Sequence, residues 1–196
     1  KGLKYRYPVT SEVIFERISR ELDTIKKMKF VSYFLMNWDI VKYARSKGYF
    51  YVGRGSGANS VVAYLLRITN VDPIELDLYF ERFINLCRTN PPDFDIDFSW
   101  KDRDDVTRYI FERFKHVALV ATYNTFQRKA VLRELGKVFG LPKEEIDLLT
   151  KDRLHPSQRT HLTELVVKYA QYIHGFPSHL SVHASGIVIA EKPIHY

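Results

Sequence analysis

The stretch Pro92-Asp93-Phe94-Asp95-Ile96-Asp97-Phe98 alternates three carboxylates with three large apolar side chains. A strand has a side-chain period of two, so the pattern predicts a strand with Asp93, Asp95 and Asp97 on one face and Phe94, Ile96 and Phe98 on the other. One face is part of a core and the other is a charge cluster. Like charges this close disfavour the strand unless a cation compensates them, and hard oxygen donors suit Mg²⁺ or Mn²⁺. Pro91 and Pro92 cannot donate to a ladder and mark the strand's start. An EF-hand loop counted from Asp93 would need Gly and Glu where the chain has Phe98 and Asp104, so that reading fails. A solvated edge strand is the plain alternative.

About forty residues upstream lies a second constraint, Gly53-Arg54-Gly55-Ser56-Gly57-Ala58-Asn59-Ser60, followed at once by apolar residues 61–66. The pattern predicts a glycine-rich turn leading into a buried helix. A Walker A loop ends in Gly-Lys-Ser/Thr, and no lysine is present. Gly53-x-Gly55-x-x-Ala58 fits a loose dinucleotide fingerprint, with Asp72 at the distance of a ribose-binding acid. A third reading is a phosphate-binding turn, in which glycine amides and the Ser56 hydroxyl meet an anion at a helix N-terminus and Arg54 adds charge. The fourth is a tight turn in which glycine only supplies positive φ. A carboxylate strand near a phosphate-binding turn is the pairing used for phosphoryl or nucleotidyl transfer.

Charge distribution points the same way. Residues 1–60 carry 12 basic and 5 acidic side chains, residues 61–100 carry 3 and 7, residues 101–160 carry 13 and 9, and residues 161–196 carry 2 and 2. An acidic centre between basic flanks suits a polyanion-binding protein with a metal site. The 45% hydrophobic content excludes a disordered tail. A single cysteine, Cys87, excludes an intramolecular disulfide, is read as a small buried residue, and favours a reducing cytoplasm. No apolar run is long enough to span a bilayer.

The remaining periodicity organises the chain. Ile14, Ile18, Leu22, Ile25 and Met28 recur at helical spacing behind Ser11 as N-cap. Residues 31–36 read as a buried strand, 38–46 as a helix stopped at Gly48, and 49–52 as a short strand. Residues 76–84 read as a short helix, 102–114 as a longer one and 117–122 as a strand. Three helices follow, ending at Gly140, starting at Pro142 and ending at Gly175, and strand character returns at 187–190. The expected architecture is an α/β (α+β) body interrupted by a helical insertion.

The run 53–64, then Ile68-Thr69-Asn70-Val71-Asp72-Pro73, Phe80-Glu81-Arg82-Phe83 and Pro92-Asp93-Phe94-Asp95-Ile96-Asp97-Phe98, strongly resembles the palm of bacterial C-family DNA polymerases, the alpha subunits of DNA polymerase III. Similarity continues through Ala121-Thr122-Tyr123-Asn124-Thr125-Phe126, Arg133-Glu134-Leu135-Gly136-Lys137-Val138 and His183-Ala184-Ser185-Gly186-Ile187-Val188-Ile189. The resemblance implies a polymerase-beta-like nucleotidyltransferase palm at 1–124, an inserted helical thumb at 125–178, and the palm resumed at 179–196. It departs from the family at Val52-Gly53 and at Cys87, where proline is common.

The resemblance implies template-directed nucleotidyl transfer from a dNTP to a primer 3′-hydroxyl, with two Mg²⁺ ions for which Mn²⁺ can substitute. Asp93 and Asp95 match the first two catalytic, metal-holding aspartates, and Asp97 shares their face as a less certain ligand. Gly55 and Ser56 match the pair contacting the triphosphate, with Arg54 and Gly57 beside them, and Arg82 and Arg88 match basic positions of the nucleotide site. Arg128, Lys129, Arg133 and Lys137 on the inserted helices are expected to hold duplex backbone. Primer–template DNA, dNTP, the sliding clamp and other replisome subunits are the expected partners, in the cytoplasm at the nucleoid, with no membrane. The family's third carboxylate is expected beyond Tyr196, so the chain is read as a fragment inactive on its own. His179 and His183 are read as satisfied structural histidines. Two rival functions are a non-catalytic nucleic-acid-binding module on the same scaffold and a dinucleotide-dependent oxidoreductase.

Overall fold

A computed structural model describes residues 1–87 and 92–195. The protein is α+β and divides into two compact units, Lys1–Lys115 and His116–Tyr196. Among the described residues, each contains a two-stranded antiparallel sheet.

The first unit begins with the short helix α1 (Gly2–Arg6), followed by α2 (Glu12–Lys27) and α3 (Val31–Ser46). Ile14 and Ile25 of α2 are buried as their spacing predicts, but between them Glu21 is buried and Leu22 faces solvent. Residues 31–36, expected as a strand, are the first turns of α3. Phe34, Asn37, Ile40, Val41 and Ala44 are its buried residues, a helical spacing that only emerges beyond the mostly apolar residues 31–36.

Strand β1 (Tyr51–Arg54) leads through a 3₁₀ turn, Gly55–Asn59, into α4 (Val61–Leu65). Residues 76–84 form turns and a 3₁₀ segment, Phe80–Arg82, rather than a helix. Phe80 within it and Phe83 and Ile84 just after it are fully buried, so side-chain anchors fix a path that helical hydrogen bonding does not. Cys87 is exposed, contrary to expectation. Strand β2 (Asp95–Phe98) pairs antiparallel with β1, and α5 (Arg103–Arg113) packs on α3, where the Tyr43 and Tyr109 rings stack with centroids 3.8 Å apart.

In the second unit β3 (His116–Thr125) and β4 (Pro177–Ala190) form a long antiparallel ribbon. Strand β4 starts ten residues earlier than residues 187–190 predict, because Ser178, His179, Ser181 and His183 lack the apolar signature of a strand. Cross-strand polar pairs replace it. Ser181 Oγ lies 2.6 Å from Thr122 Oγ1 and accepts from Asn124 Nδ2 at 2.7 Å. Between the strands come α6 (Arg128–Val138), α7 (Lys143–Thr150) and α8 (His161–Ile173). They close over a core of Leu132, Leu141, Ile146, Leu149, Leu154 and Val166.

Candidate functional site

The β1–β2 pair sets the site. Cross-strand partners are Tyr51↔Phe98, Val52↔Asp97, Gly53↔Ile96 and Arg54↔Asp95. Directly opposed residues share a face, so Arg54, Asp95 and Asp97 stand together on the exposed side while Tyr51 and Gly53 turn inward. Asp93 is also exposed but lies before the first paired residue of β2.

Phe94 holds this register. Its ring stacks on Tyr33 at 5.5 Å and meets Phe34 at 5.4 Å and Phe83 at 4.8 Å, while its backbone N–H donates to the Tyr33 hydroxyl at 2.9 Å. A residue fixed on three aromatic rings leaves its neighbours, Asp93 and Asp95, little freedom to rotate with the chain.

The glycine turn is built against the same strand. Gly55 has φ +71°, a left-handed conformation costly for any residue with a Cβ, and a Cβ there would run into the Asp95 carboxylate. Gly57 is buried, and a Cβ on it would sit 2.5 Å from the Phe94 ring. Gly57 is thus a packing residue beneath Phe94, whereas exposed Gly55 and half-buried Ser56 form the outward part of the turn.

Arg54 neutralises the carboxylates. Its Nε lies 2.5 Å from Asp97 Oδ2 and its Nη1 3.8 Å from Asp95 Oδ2. The Asp97 hydrogen bond and charge, then the Asp95 charge, raise the arginine's already high pKa. The compensating cation demanded by the aspartate alternation is therefore partly a side chain. Asp95 and Asp97 remain about half exposed and offer only hard oxygens, so as a donor pair they fit Mg²⁺ or Mn²⁺. Among the described residues no cluster of three or more His, Cys, Asp or Glu is close enough to hold a metal ion.

The start of α4 does not offer its donors outward. The Glu21 carboxylate accepts from Val61 N at 3.1 Å and Val62 N at 3.2 Å, and Ser60 Oγ accepts from Ala63 N at 3.1 Å. The anion at this helix start belongs to the protein itself, which removes the helix N-terminus from the phosphate-binding reading. Asp72, a ribose contact in the dinucleotide reading, accepts instead from Tyr7 Oη at 2.6 Å and Ile74 N at 2.9 Å. The antiparallel β1–β2 pair likewise lacks the parallel βαβ unit of that fold.

The 3₁₀ segment Phe80–Arg82 packs against the glycine turn. Arg82 is exposed on the 3₁₀ segment, and Arg88 lies outside the described residues. In the second unit Arg128 makes a bidentate pair with Asp152 at 2.9 and 2.7 Å, Arg133 meets Asp147 at 3.0 Å, Lys137 meets Glu134 at 2.7 Å, and Lys129 is exposed. His183 Nδ1 accepts from Gly186 N at 2.8 Å, and both ring nitrogens of His179 sit beside Ser178 or Asn124 side chains. No helix among the described residues is long and apolar enough to cross a membrane.

The chain is mixed α+β, with an aspartate strand set against a glycine turn, and comparison with known proteins gives its family. The family model described as the bacterial DNA polymerase III alpha NTPase domain matches residues 1–196. The chain is 41% identical over 217 residues to the DNA polymerase III subunit alpha of Bacillus subtilis, covering 99% of this chain and 19% of that protein. It is 39% identical to an error-prone DNA polymerase of Symbiobacterium thermophilum (98% and 20%) and 37% identical to one of Vibrio vulnificus (100% and 21%). The chain belongs to the DNA polymerase III alpha family. It spans about one fifth of the length of these relatives.

Proposed function

We propose that this chain carries the nucleotide-binding turn and the first metal-binding carboxylates of a DNA-directed DNA polymerase that adds dNTPs to a primer 3′-hydroxyl on a template. The observation that carries the reading is the closure of Gly55 onto Asp95, which unites the two sequence motifs in one site. In this reading residues 1–124 and 179–196 are palm and 125–178 are an inserted thumb.

Asp93 and Asp95, with Asp97 as the less certain ligand, would hold two Mg²⁺ ions, or Mn²⁺ in their place, which would supply Lewis-acid activation of the primer hydroxyl and neutralise the triphosphate. The chain's own residues bind and orient. Gly55 and Ser56 present an amide and a hydroxyl to the triphosphate, while Arg54 and Arg82 add positive charge for its oxygens. Arg128, Lys129, Arg133 and Lys137 track the primer–template backbone without reading sequence, and Arg128, Arg133 and Lys137 exchange their carboxylate partners for phosphates. Sliding clamp and other replisome subunits are the partners of such a polymerase, and the bacterial cytoplasm is its place.

Asp95→Ala in the full-length polymerase is expected to abolish primer extension while primer–template binding persists. Equal loss of both would assign the carboxylates to folding. Failure of the intact protein to bind Mn²⁺ at Asp93, Asp95 and Asp97 would favour a non-catalytic nucleic-acid-binding module.

A further inference from the structure

Glu21 occupies a position where the sequence of α2 calls for an apolar residue. It follows Ile18 by three and Ile14 by seven, and its exposure is 0%. A buried carboxylate is expensive unless charge and hydrogen bonds meet it, and replacing such a pair by apolar side chains is often no worse for stability. Every partner it has is a donor. Arg17 Nε lies at 2.7 Å, Ser60 Oγ at 2.8 Å, and the Val61 and Val62 amides at 3.1 and 3.2 Å. Burial pushes the Glu21 carboxyl above the usual range, and Arg17, Val61, Ser60 and Val62 pull it back.

Its partner Arg17 reaches the other side of the same bend. Arg17 Nη2 donates to the Asn59 carbonyl at 3.0 Å and to the Leu78 carbonyl at 2.7 Å. Asn59 Nδ2 in turn donates to the Ser56 carbonyl at 2.8 Å. A path of hydrogen bonds therefore runs from Arg17 of α2 through Asn59 to Ser56, while Glu21 of the same helix holds Ser60. The carbonyl that ends the glycine turn and the amides that begin α4 are both held by one i,i+4 pair on a different helix.

We propose that Arg17 and Glu21 are positioning residues for nucleotide binding. They fix the backbone of residues 55–62 so that the Gly55 amide and the Ser56 hydroxyl stand ready for the triphosphate over Asp95. This rests on the reading of Gly55–Ser56 as the triphosphate contact. The pair touches no substrate. Its effect is to remove the cost of ordering the turn when nucleotide binds, which belongs to KM and not to the chemical step.

The test compares Glu21→Gln and Ser56→Ala in the full-length polymerase by steady-state primer extension, with hydrogen exchange at the amides of 55–62. Gln keeps the shape but has one acceptor oxygen and no charge. Glu21→Gln is expected to raise KM for dNTP about tenfold, the weight of one buried charge-assisted hydrogen bond, with kcat held within about twofold and faster exchange across 55–62. Ser56→Ala is expected to raise KM without the exchange change. A raised KM for Ser56→Ala with an unchanged KM for Glu21→Gln overturns the positioning role and leaves the turn's role standing. Unchanged KM in both overturns both. Loss of kcat at constant KM in Glu21→Gln marks a merely structural group and overturns the proposal. Should Glu21→Gln not fold, Arg17→Lys carries the same expectations, because a single ammonium cannot reach Glu21, Asn59 and Leu78 together.

Discussion

Arg54 stands directly across the antiparallel pair from Asp95, yet its short bond, 2.5 Å from Nε to Oδ2, runs diagonally to Asp97. One guanidinium thus spans both carboxylates and competes with any divalent cation for them. Arg54→Gln is expected to tighten Mn²⁺ binding about fivefold at low salt, because a nearby like charge is removed from the cation. It should at the same time raise KM for dNTP. Mn²⁺ titration by electron paramagnetic resonance reads the first effect, and unchanged or weaker binding would remove Arg54 from the role of competitor.

Gly55 and Gly57 differ by two positions but not in kind of contact alone: one abuts a carboxylate, the other an aromatic ring. Gly57→Ala forces the Phe94 ring out of its stack with Tyr33, and overpacking of this sort costs about 1–3 kcal/mol. A fall in thermal midpoint with unchanged KM for dNTP is expected. Gly55→Ala adds a left-handed strain of about 1–2 kcal/mol and displaces Asp95, so extension activity should fall further than stability does. Equal effects of the two substitutions on activity and on midpoint would contradict the division of roles.

How much of this was legible depended on period. The aspartate alternation announced β2, and helical spacing announced α2, α5 and the three helices of the second unit. Residues 31–36 were not legible, since a short, mostly apolar run broken only by Ser32 suits a strand or a buried helix face equally. The first half of β4 was hidden because serine and histidine form its cross-strand pairs. Glu21 was missed although its signal was present: an acid three residues after Ile18 and four before Ile25, on the stripe that helical periodicity assigns to the core. Leu22 took its place in the sequence reading and lies 38% exposed. The roles of Gly53, Gly55 and Gly57 could not be separated from spacing, because what each glycine abuts comes from residues far along the chain.

The expected duplex-binding cations Arg128, Arg133 and Lys137 are already paired with Asp152, Asp147 and Glu134 on the exposed surface of the second unit. Exposed pairs contribute at most about 1 kcal/mol, so Arg128→Ala should leave the thermal midpoint almost unmoved. If the guanidinium exchanges Asp152 for a phosphate, the slope of log affinity for primer–template against log salt should become shallower by about one. An unchanged slope with unchanged affinity would confine Arg128 to the Asp152 pair.

Asp105 ties α3 and α5 together, accepting from Tyr43 Oη at 2.7 Å and Tyr49 Oη at 3.0 Å. These two hydrogen bonds hold its carboxyl below the usual carboxylate range, and the same bond helps push the Tyr43 hydroxyl up to about 12. A carboxylate whose folded pKa is depressed binds protons more readily when unfolded, so its stabilising effect is present above the unfolded value of about 3.9 and is lost as pH falls through the folded one. Denaturant unfolding between pH 7 and pH 2 should show an acid limb whose slope Asp105→Asn reduces, because the amide does not titrate. The Tyr43–Tyr109 stack should persist in that variant, leaving near-ultraviolet circular dichroism at pH 7 unchanged. An acid limb of the same slope in Asp105→Asn and the parent would assign the acid sensitivity to other carboxylates and leave the two tyrosine hydrogen bonds without weight in the folded state.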